Sequence, residues 1–405
     1  MERSSYPLVD AEAAAALVLE RTSVLGGEDV HLAECAGRVL VRDLVAPSQL
    51  PPFPSSAVDG YALRAVDAGR RIPVAGESAA GRPFQGTLPP GSAATILTGG
   101  VVPDGADTVV MVEDVQRGDG WVAAPPGFPA GRNFHRPGDD VRPGDLVVPR
   151  GQPLGPAELG LAAAIGVPRL HVHRRPLAAL MSTGDELVEV GEQPGPGQIV
   201  DSNRWALLAA LREAGAQVTL LRRAPDQPGR LRDLVVEALA GHDLLVTSGG
   251  VSVGTHDLVK PLLESLGEVH IGRVKLKPGK PFTFATLPGE RVAFGLPGFP
   301  VSSLITFEVF VRPALRKMQG FAELQRPTLS VRLGYEARAP GDRTEYQRVR
   351  LVREGSQLVA VSTGSQSSSR LASLAGAHAL IRVPAGDRGI SAGEIVEALI
   401  ISLPA

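Results

Sequence analysis

Residues 242–257 read HDLLVTSGGVSVGTHD, a short apolar run followed by a glycine-rich turn. The next residues, LVKPLLESLG (258–267), have the spacing of an amphipathic helix. A strand, a glycine turn and a helix start in this order favour an anion cradle, because backbone N–H groups and the helix N-terminus would face the ligand. The turn lacks the Gly-Lys-Ser/Thr ending of a P-loop and the G-x-G-x-x-G spacing of a dinucleotide site, so these two motifs do not identify its ligand.

The alternation of strand and helix extends on both sides of this stretch, over residues 174–321. Apolar runs of strand length alternate there with helical patterns such as DSNRWALLAALREAGA (201–216). This alternation predicts an α/β domain with a mostly parallel sheet, whose ligands bind at the carboxyl ends of the strands. The loops STGDE (182–186) and GLPGFP (295–300) fall at two further ends of this kind.

The flanking sequence is rich in short strands and turns. Residues 70–150 are dense in turn signals such as PDGAD and RPGDD, which predicts a β-rich domain, with bounds 25–142. Helical patterns on either side of it predict a small discontinuous N-terminal and linker domain made of residues 1–24 and 143–173. Residues 322–405 return to short strands, typical of a small β-barrel or sandwich.

Composition narrows the class of function. The chain has 405 residues, 43% hydrophobic and 21% charged residues and a net charge of −2, values ordinary for a folded protein and unlike a nucleic-acid-binding domain. A single cysteine, Cys35, excludes an intrachain disulfide and fits a reducing compartment. No apolar run reaches the length of a membrane span. We therefore expect a cytoplasmic protein that binds neither membrane nor nucleic acid.

Acidic residues in turns are candidate ligands for a divalent cation. Scattered histidines without H-E-x-x-H or C-x-x-C spacing argue against zinc, whereas Mg²⁺ takes oxygen ligands from one or two carboxylates and substrate phosphates. From spacing alone, an N-cap or a solvated turn explains each acid more readily than a metal does. The candidates are Asp59, Asp140, Glu186, Asp226 and Asp257.

Two further segments are candidates for binding an oxyanion. In VKLKPGKPF (274–282) three lysines surround a Pro-Gly turn, a pattern that suits an oxyanion but also a solvated basic edge. In GLPGFPVSS (295–303) a rigid Pro-Gly turn precedes a helical pattern, so backbone N–H groups could approach a ligand. Ser302 and Ser303 could add hydroxyl groups or cap the helix.

Taken together, the motifs identify a family. Seven segments occur in its order along almost the whole chain, and the chain resembles the MoeA family of molybdopterin molybdenumtransferases, which is related to the E domain of gephyrin. The segments are PPFPSSAVDGYALRA, GSAATILTGGVVPDGADTVVMVED, STGDEL, DSNRWALLAALREAGA, TSGGVSVGTHD, KLKPGKPF and GLPGFPVSS.

The resemblance implies a fold and an activity. It implies a homodimer with four domains per chain: a MogA-like molybdopterin-binding α/β domain, a β-rich domain, a small helical linker domain and a C-terminal β-barrel. The active site would lie between the α/β domain of one subunit and the β-rich domain of the other. The substrates would be adenylylated molybdopterin and molybdate, with Mg²⁺ as cofactor and AMP as a product. A MogA-type adenylyltransferase and downstream molybdenum cofactor proteins would be partners.

The resemblance also assigns site residues by motif. We expect Asp59 and Asp226 to be needed for the chemical step and Asp257 for ligand placement. The full assignment gives catalytic roles to Asp59, Asp140, Glu186 and Asp226, metal binding to Asp59, Glu186 and Asp226, and substrate binding to Thr98, Ser248, Gly249, Gly250, Ser252, Asp257, Lys275, Lys280, Pro297 and Pro300.

Two positions depart from the family pattern. Phe299 stands where the family has Asn in G-L-P-G-N-P, and Pro54-Ser55 replaces Asp-Asn in P-P-F-D-N-S. Both leave the choice between molybdate and tungstate open. Three other functions are alternatives: a MogA-like adenylyltransferase, a CinA-like nucleotide-processing protein and a gephyrin-like scaffold. The β-rich flanks argue against the first two, and the retained acids and lysines against the third.

Overall fold

The structure, a computed structural model, describes residues 6–223, 228–250 and 258–402. The chain divides into two compact units. The large unit comprises Met1–Glu28, Gly37–Val41 and Val172–Ala405, and the β-rich unit comprises Asp29–Ala36 and Arg42–His171. Within the described ranges no helix combines the length and apolar character needed to cross a membrane.

The N-terminal segment contributes one strand and one helix to the large unit. β1 (Val9–Asp10) pairs in parallel with the segment around Val274, and α1 (Ala11–Glu20) follows it directly. Ala11, Ala14 and Val18 form the buried stripe of α1, at the three- and four-residue spacing of a helix face. The helix agrees with the helical pattern predicted within residues 1–24, and the strand at its start is a finding of the structure.

The β-rich unit confirms the prediction of many short strands between turns. Its main sheet has six strands in the order β8-β5-β7-β6-β10-β9, with a buried core that includes Leu63, Val110 and Val122. Gly60 is required in β5, because a Cβ there would lie 2.0 Å from the carbonyl oxygen of Val110. The elements are β2 (Gly27–His31), which enters the unit, β3 (Leu44–Val45), β4 (Ser55–Ser56), β5 (Gly60–Leu63), β6 (Ile72–Ser78), β7 (Ala93–Ile96), β8 (Thr108–Met111), β9 (Gln116–Gly118), β10 (Trp121–Ala123), β11 (Phe134–His135), β12 (Leu146–Val148) and α2 (Pro156–Ala164).

The α/β part of the large unit confirms the predicted parallel sheet. Strands β17, β14, β18 and β21 are parallel neighbours in that order, and β20 and β19 extend the sheet antiparallel. The elements are β13 (Arg169–His173), β14 (Leu177–Ser182), β15 (Leu187–Val188), β16 (Ile199–Val200), α3 (Asn203–Glu213), β17 (Gln217–Leu220), α4 (Pro228–Gly241), β18 (Leu244–Ser248), α5 (Val259–Leu266), β19 (Glu268–Lys277), β20 (Pro281–Leu287), β21 (Arg291–Leu296), α6 (Pro300–Thr306) and α7 (Arg312–Met318).

Both faces of this sheet are buried, as expected for parallel strands covered by helices. Along β14, Ala178 and Leu180 belong to one apolar cluster, whereas Ala179 and Met181 belong to the cluster on the opposite face. This packing explains why the strands read as continuous apolar runs in the sequence.

The long helix predicted after GLPGFP is interrupted. One π-helical turn, Phe307–Val311, separates α6 from α7. Pro313 lies just beyond it and has no N–H to donate to the carbonyl of Val309, so a regular α-helix cannot continue through this point.

The C-terminal region is a closed five-stranded barrel, which decides between the barrel and the sandwich. The strands close in the order β23-β24-β22-β26-β25 and back to β23. β23 also pairs with β19 through Leu276↔Thr344, so the barrel and the α/β sheet are hydrogen-bonded together. The strands are β22 (Thr328–Leu333), β23 (Thr344–Glu354), β24 (Gln357–Ser362), β25 (Ala379–Val383) and β26 (Ile395–Ile400).

Candidate functional site

The carboxyl ends of three parallel strands come together in the large unit. Ser182 of β14 pairs with Ser248 of β18, which pairs with Leu296 of β21. The three loops that follow are therefore neighbours, as predicted from the position of their motifs at strand ends. We call the residues at this edge, Ser182, Thr183, Asn203, Ser248, Gly249, Gly250 and Gly298, the strand-end cluster.

Two glycines give the central loop of the cluster its shape. Gly249 and Gly250 have φ angles of +88° and +66°, a conformation that side-chain-bearing residues rarely adopt. A Cβ at Gly249 would lie 2.5 Å from the carbonyl oxygen of Thr183, and one at Gly250 would lie 2.8 Å from the Thr183 hydroxyl. The backbone of this turn therefore packs directly against the STGDE loop, and the Gly249 N–H donates to the carbonyl of Leu296 at 3.1 Å.

Asn203 joins two of the loops. Its Nδ2 donates to the Ser248 hydroxyl at 2.8 Å and to the Gly298 carbonyl at 2.7 Å. The sequence analysis did not single out Asn203, since its place at the start of α3 was explained by helix capping.

Several buried hydroxyl groups at this edge have no hydrogen-bond partner among the described residues. Buried polar atoms in folded proteins nearly always have a partner, so such atoms indicate a place for a ligand, an ion or water. The only hint in the sequence is a run of Ser and Thr where apolar strands end. These hydroxyls belong to Ser182, Thr183, Thr247, Thr283 and Ser303.

Other predicted residues lie beside the cluster. Glu186 is exposed, and its carboxylate folds back over Gly184, where a Cβ would lie 2.4 Å from Oε2. Pro297 is buried, and Pro300 opens α6. The three remaining predictions for this edge, Asp226, Ser252 and Asp257, lie outside the described residues.

The predicted basic turn contains lysines of two kinds. Lys275 Nζ lies 3.1 Å from Asp10 and Lys277 Nζ lies 3.1 Å from the buried Glu345, so both are held in ion pairs. Lys280 is exposed and has no ion-pair partner in the part of the chain that the structure describes. Of the two predicted lysines, Lys280 is therefore the one whose charge is available to a ligand.

A buried arginine lies in the barrel next to this region, and the sequence analysis missed it. Arg348 has 0% of its surface exposed, and its Nε donates to the Ser373 hydroxyl at 3.1 Å. Its Nη2 donates to the Ser367 carbonyl at 3.2 Å, while Nη1 has no partner within the described ranges. The next carbonyl, that of Ser368, accepts from the N–H of Val301 in α6. The guanidinium thus lies in a serine-rich loop that contacts the start of α6.

In the β-rich unit the structure brings Asp59 and Thr98 together. The backbone N–H and the hydroxyl of Thr98 both donate to Asp59 Oδ1, at 2.7 and 2.8 Å. These two hydrogen bonds, the backbone one first, hold the pKa of the Asp59 carboxyl below its ordinary value. Asp140 is exposed at another turn of the same unit, where its N–H donates to the carbonyl of Leu50.

Donors for a metal are dispersed in the described part of the chain, where no three His, Cys, Asp or Glu side chains are grouped to hold an ion. Asp59 and Glu186 are both exposed carboxylates, and each belongs to a different unit. A donor set of this kind fits Mg²⁺ only with phosphate oxygens of a substrate completing the coordination.

The two departures from the family pattern are on the surface. Phe299 is 60% exposed and extended before Pro300, as a residue preceding proline should be. Pro54 is partly buried, and its carbonyl accepts from the N–H of Val102.

Comparison with protein families matches nearly the whole chain. Residues 9–166 match the MoeA N-terminal region (domain I and II), residues 179–317 a probable molybdopterin-binding domain, and residues 330–401 the MoeA C-terminal region (domain IV).

Individual relatives agree. The chain is 36% identical to molybdopterin molybdenumtransferase of Haemophilus influenzae, over 91% of this chain and 92% of that protein. It is 33% identical to gephyrin of Dictyostelium discoideum, over 98% of this chain but only 63% of that longer protein. Among solved structures it is similar to a molybdopterin biosynthesis MoeA protein from Pyrococcus horikoshii, with a TM-score of 0.81, 32% identity and coverage of 97% and 99% of the two chains.

Proposed function

Because the chain belongs to the MoeA family, we propose that it transfers molybdenum from molybdate to adenylylated molybdopterin and releases AMP. The family predicted from the seven motifs is confirmed by the family matches over residues 9–166, 179–317 and 330–401. Relatives of nearly the same length are molybdopterin molybdenumtransferases, which supports an enzymatic role in molybdenum cofactor biosynthesis.

One observation supports binding of the adenylylated pterin in the large unit. The strand-end cluster combines a glycine turn of positive φ with buried hydroxyl groups that have no partner in the described part of the chain. Backbone N–H groups and hydroxyls are the donors that phosphate oxygens accept from. The phosphates would lie against Ser248, Gly249 and Gly250, with the hydroxyls rather than the Gly249 N–H as donors, because that N–H donates to the carbonyl of Leu296.

Molybdate is a dianion and needs cationic donors. Lys280 is exposed without an ion pair in the described ranges, and Arg348 keeps a buried Nη1 without a partner there. Burial lowers the pKa of the Arg348 guanidinium, although it stays charged at neutral pH. A bound oxyanion would neutralise this buried charge, so we include Arg348 with Lys280, Pro297 and Pro300 among the substrate-binding residues.

The acids take three roles in this proposal. Asp59 and Asp226 are needed for the chemical step, Glu186 and Asp140 assist it, and Asp257 places the ligand. Glu186 and Asp59, with Asp226, would hold Mg²⁺ together with substrate phosphates. When bound, the ion neutralises the charge of the pyrophosphate-like link that must be cleaved. Thr98 keeps the Asp59 carboxyl ionised by donating two hydrogen bonds to it.

The assembly and its surroundings are part of the proposal. We propose a cytoplasmic homodimer in which the β-rich unit of one subunit and the large unit of the other share each active site. The adenylylated substrate requires a supplier, a MogA-type adenylyltransferase, and the product requires an acceptor among downstream molybdenum cofactor proteins.

The test is turnover by the purified protein. Adenylylated molybdopterin, Mg²⁺ and either molybdate or tungstate are added, and AMP is quantified by chromatography. We expect AMP release that depends on the oxyanion and is abolished in D59A. Binding of peptides without AMP release would instead support a scaffold, and AMP release that ignores the oxyanion would contradict the proposed transfer.

A further inference from the structure

Asn203 is the most constrained polar side chain of the strand-end cluster. It is the first residue of α3 and 9% exposed. Its Nδ2 reaches the Ser248 hydroxyl, at the end of β18, and the Gly298 carbonyl, in the turn after β21. One amide group therefore sets the separation of two of the loops that surround the proposed phosphate site.

The orientation of this amide follows from its partners. A carbonyl oxygen can only accept a hydrogen bond, so the atom 2.7 Å from the Gly298 oxygen must be the NH₂ group. Rotating the amide by 180° would bring Oδ1 against the Gly298 carbonyl oxygen and lose that hydrogen bond, although the Ser248 hydroxyl could then donate to Oδ1. The Oδ1 atom therefore points away from Gly298 and Ser248.

That oxygen has no donor among the residues that the structure describes. Asn203 Oδ1 is buried, and no residue of the described ranges donates to it. A buried acceptor without a donor is unfavourable, so the site favours a ligand with an O–H or N–H group at this point. Ionised phosphate and molybdate oxygens carry no such hydrogen, whereas ribose hydroxyls and the ring and amino N–H groups of a pterin or adenine do.

We propose that Asn203 is a positioning and specificity-determining residue: Nδ2 fixes the two loops, and Oδ1 accepts a hydrogen bond from an O–H or N–H group of the organic part of the substrate. This inference rests on the proposed function, since it assigns the ligand to the same cluster. It predicts discrimination between the adenylylated pterin and a bare anion of similar charge.

The kinetic test compares N203A and N203S with S202A, a change at the adjacent exposed residue. Loss of a buried hydrogen bond to the ligand should raise KM for adenylylated molybdopterin roughly tenfold or more in N203A and N203S. KM for molybdate should rise by a smaller factor, because Oδ1 cannot accept from it and only the loop contacts of Nδ2 are lost. S202A should match the wild type in both constants, and equal increases in both KM values would overturn the proposal.

A binding test separates this inference from the proposed function. Calorimetric titration without molybdate uses adenylylated molybdopterin and, separately, inorganic pyrophosphate. Both variants should lose more affinity for the pterin than for pyrophosphate, because pyrophosphate loses only the loop positioning by Nδ2, whereas the pterin also loses the Oδ1 acceptor. If the wild type shows no oxyanion-dependent AMP release, the proposed function fails. The comparison of pterin affinity with pyrophosphate affinity in the variants still decides the role of Asn203. Unfolding of both variants, measured by thermal melting, would show a purely structural role and overturn the proposal.

Discussion

The carboxylate of Asp59 receives two hydrogen bonds on one oxygen, both from Thr98, and its second oxygen stays open to solvent. The donors are the Thr98 N–H at 2.7 Å and its hydroxyl at 2.8 Å. Because both donors stabilise the ionised form, the pKa of this carboxyl lies below its ordinary value near 3.8. Asp59 is thus held in one orientation and stays ionised, which a cation ligand or a carboxylate at a reaction centre requires.

Replacing Thr98 with valine should move the pKa of Asp59 upward. T98V removes the hydroxyl donor but keeps the stronger backbone donor, so the pKa should rise and remain below the ordinary value. Carboxyl chemical shifts in an NMR titration measure this directly. An unchanged midpoint would show that the Thr98 hydroxyl does not hold the carboxylate, and T95V, at a threonine whose hydroxyl donates to Gly76 instead, is the control.

Arg348 gives a test of molybdate binding. Methionine fills a similar volume without charge but removes the donor to the Ser373 hydroxyl and the Ser367 carbonyl, so R348M should be less stable than the wild type, and thermal melting checks that it folds. We expect KM for molybdate to rise roughly tenfold or more, since hydrogen bonds to charged groups contribute strongly. R350M, two residues further along β23 at an exposed position, is the matched control and should behave as wild type. Equal molybdate dependence in the two variants would remove Arg348 from the site.

The lysines of the basic turn should differ in their effects. Lys280 is free of ion pairs within the described residues, whereas Lys275 Nζ is 3.1 Å from Asp10. K280Q should therefore weaken molybdate binding by roughly tenfold, and K275Q by much less. Steady-state kinetics at varied molybdate measures both, and the reverse order would mean that the Asp10 pair opens when substrate binds.

The glycine turn should not tolerate a side chain. G249A places a Cβ 2.5 Å from the Thr183 carbonyl oxygen at a φ of +88°, so we expect loss of stability and of AMP release. G160A, in the middle of α2 with no atom within 4 Å of the new Cβ, should stabilise the protein by about 0.5–1 kcal/mol. Thermal melting should show a lower melting temperature for G249A and a higher one for G160A. A G249A protein as stable and active as the wild type would contradict the close packing.

The loss of folding stability at low pH should depend in part on Asp243. Burial favours a raised pKa, but hydrogen bonds from Arg174 and from the N–H of Leu177 outweigh it, and the pKa of Asp243 is lowered. A lowered pKa means that the stabilisation is full above the ordinary value near 3.8 and is lost as the pH falls through the folded-state value. At pH 7, D243N should lower the free energy of unfolding by about 1–2 kcal/mol, after allowance for solvent screening of Arg174. In acid, the difference in stability between D243N and the wild type should become smaller. Urea melts across this pH range provide the measurement.

The strands and the glycine turns were predictable because their signals are local. A strand buried on both faces reads as an apolar run, and a glycine at positive φ has few substitutes, so HDLLVTSGG could be placed at the carboxyl end of a parallel strand from the sequence alone. The two-residue strand β1 was missed because Val9–Asp10 is too short to show any period.

The two residues of the proposed site that the sequence analysis missed, Arg348 and Asn203, share a different cause. Arg348 lies in β23, and its neighbours Gln347 and Val349 are buried as well. Buried and exposed residues do not alternate here, so the strand pattern does not mark Arg348 as an interior residue. Asn203 stands where a helix start already accounts for a polar residue. In both cases the function depends on partners more than 15 residues away in the chain, Ser373 and Gly298, and single-sequence patterns do not contain such pairings.

The pairing of β23 with β19 makes the barrel mechanically continuous with the α/β sheet. Lys277, next to the basic turn, pairs in register with Glu345, so backbone hydrogen bonds run from the turn into the barrel wall. A rocking motion of the barrel would have to break these bonds, and a truncation at residue 322 would leave an unpaired strand edge. The change of sequence pattern near residue 322 is therefore not a hinge, and in calorimetry the sheet and the barrel should melt as one cooperative unit.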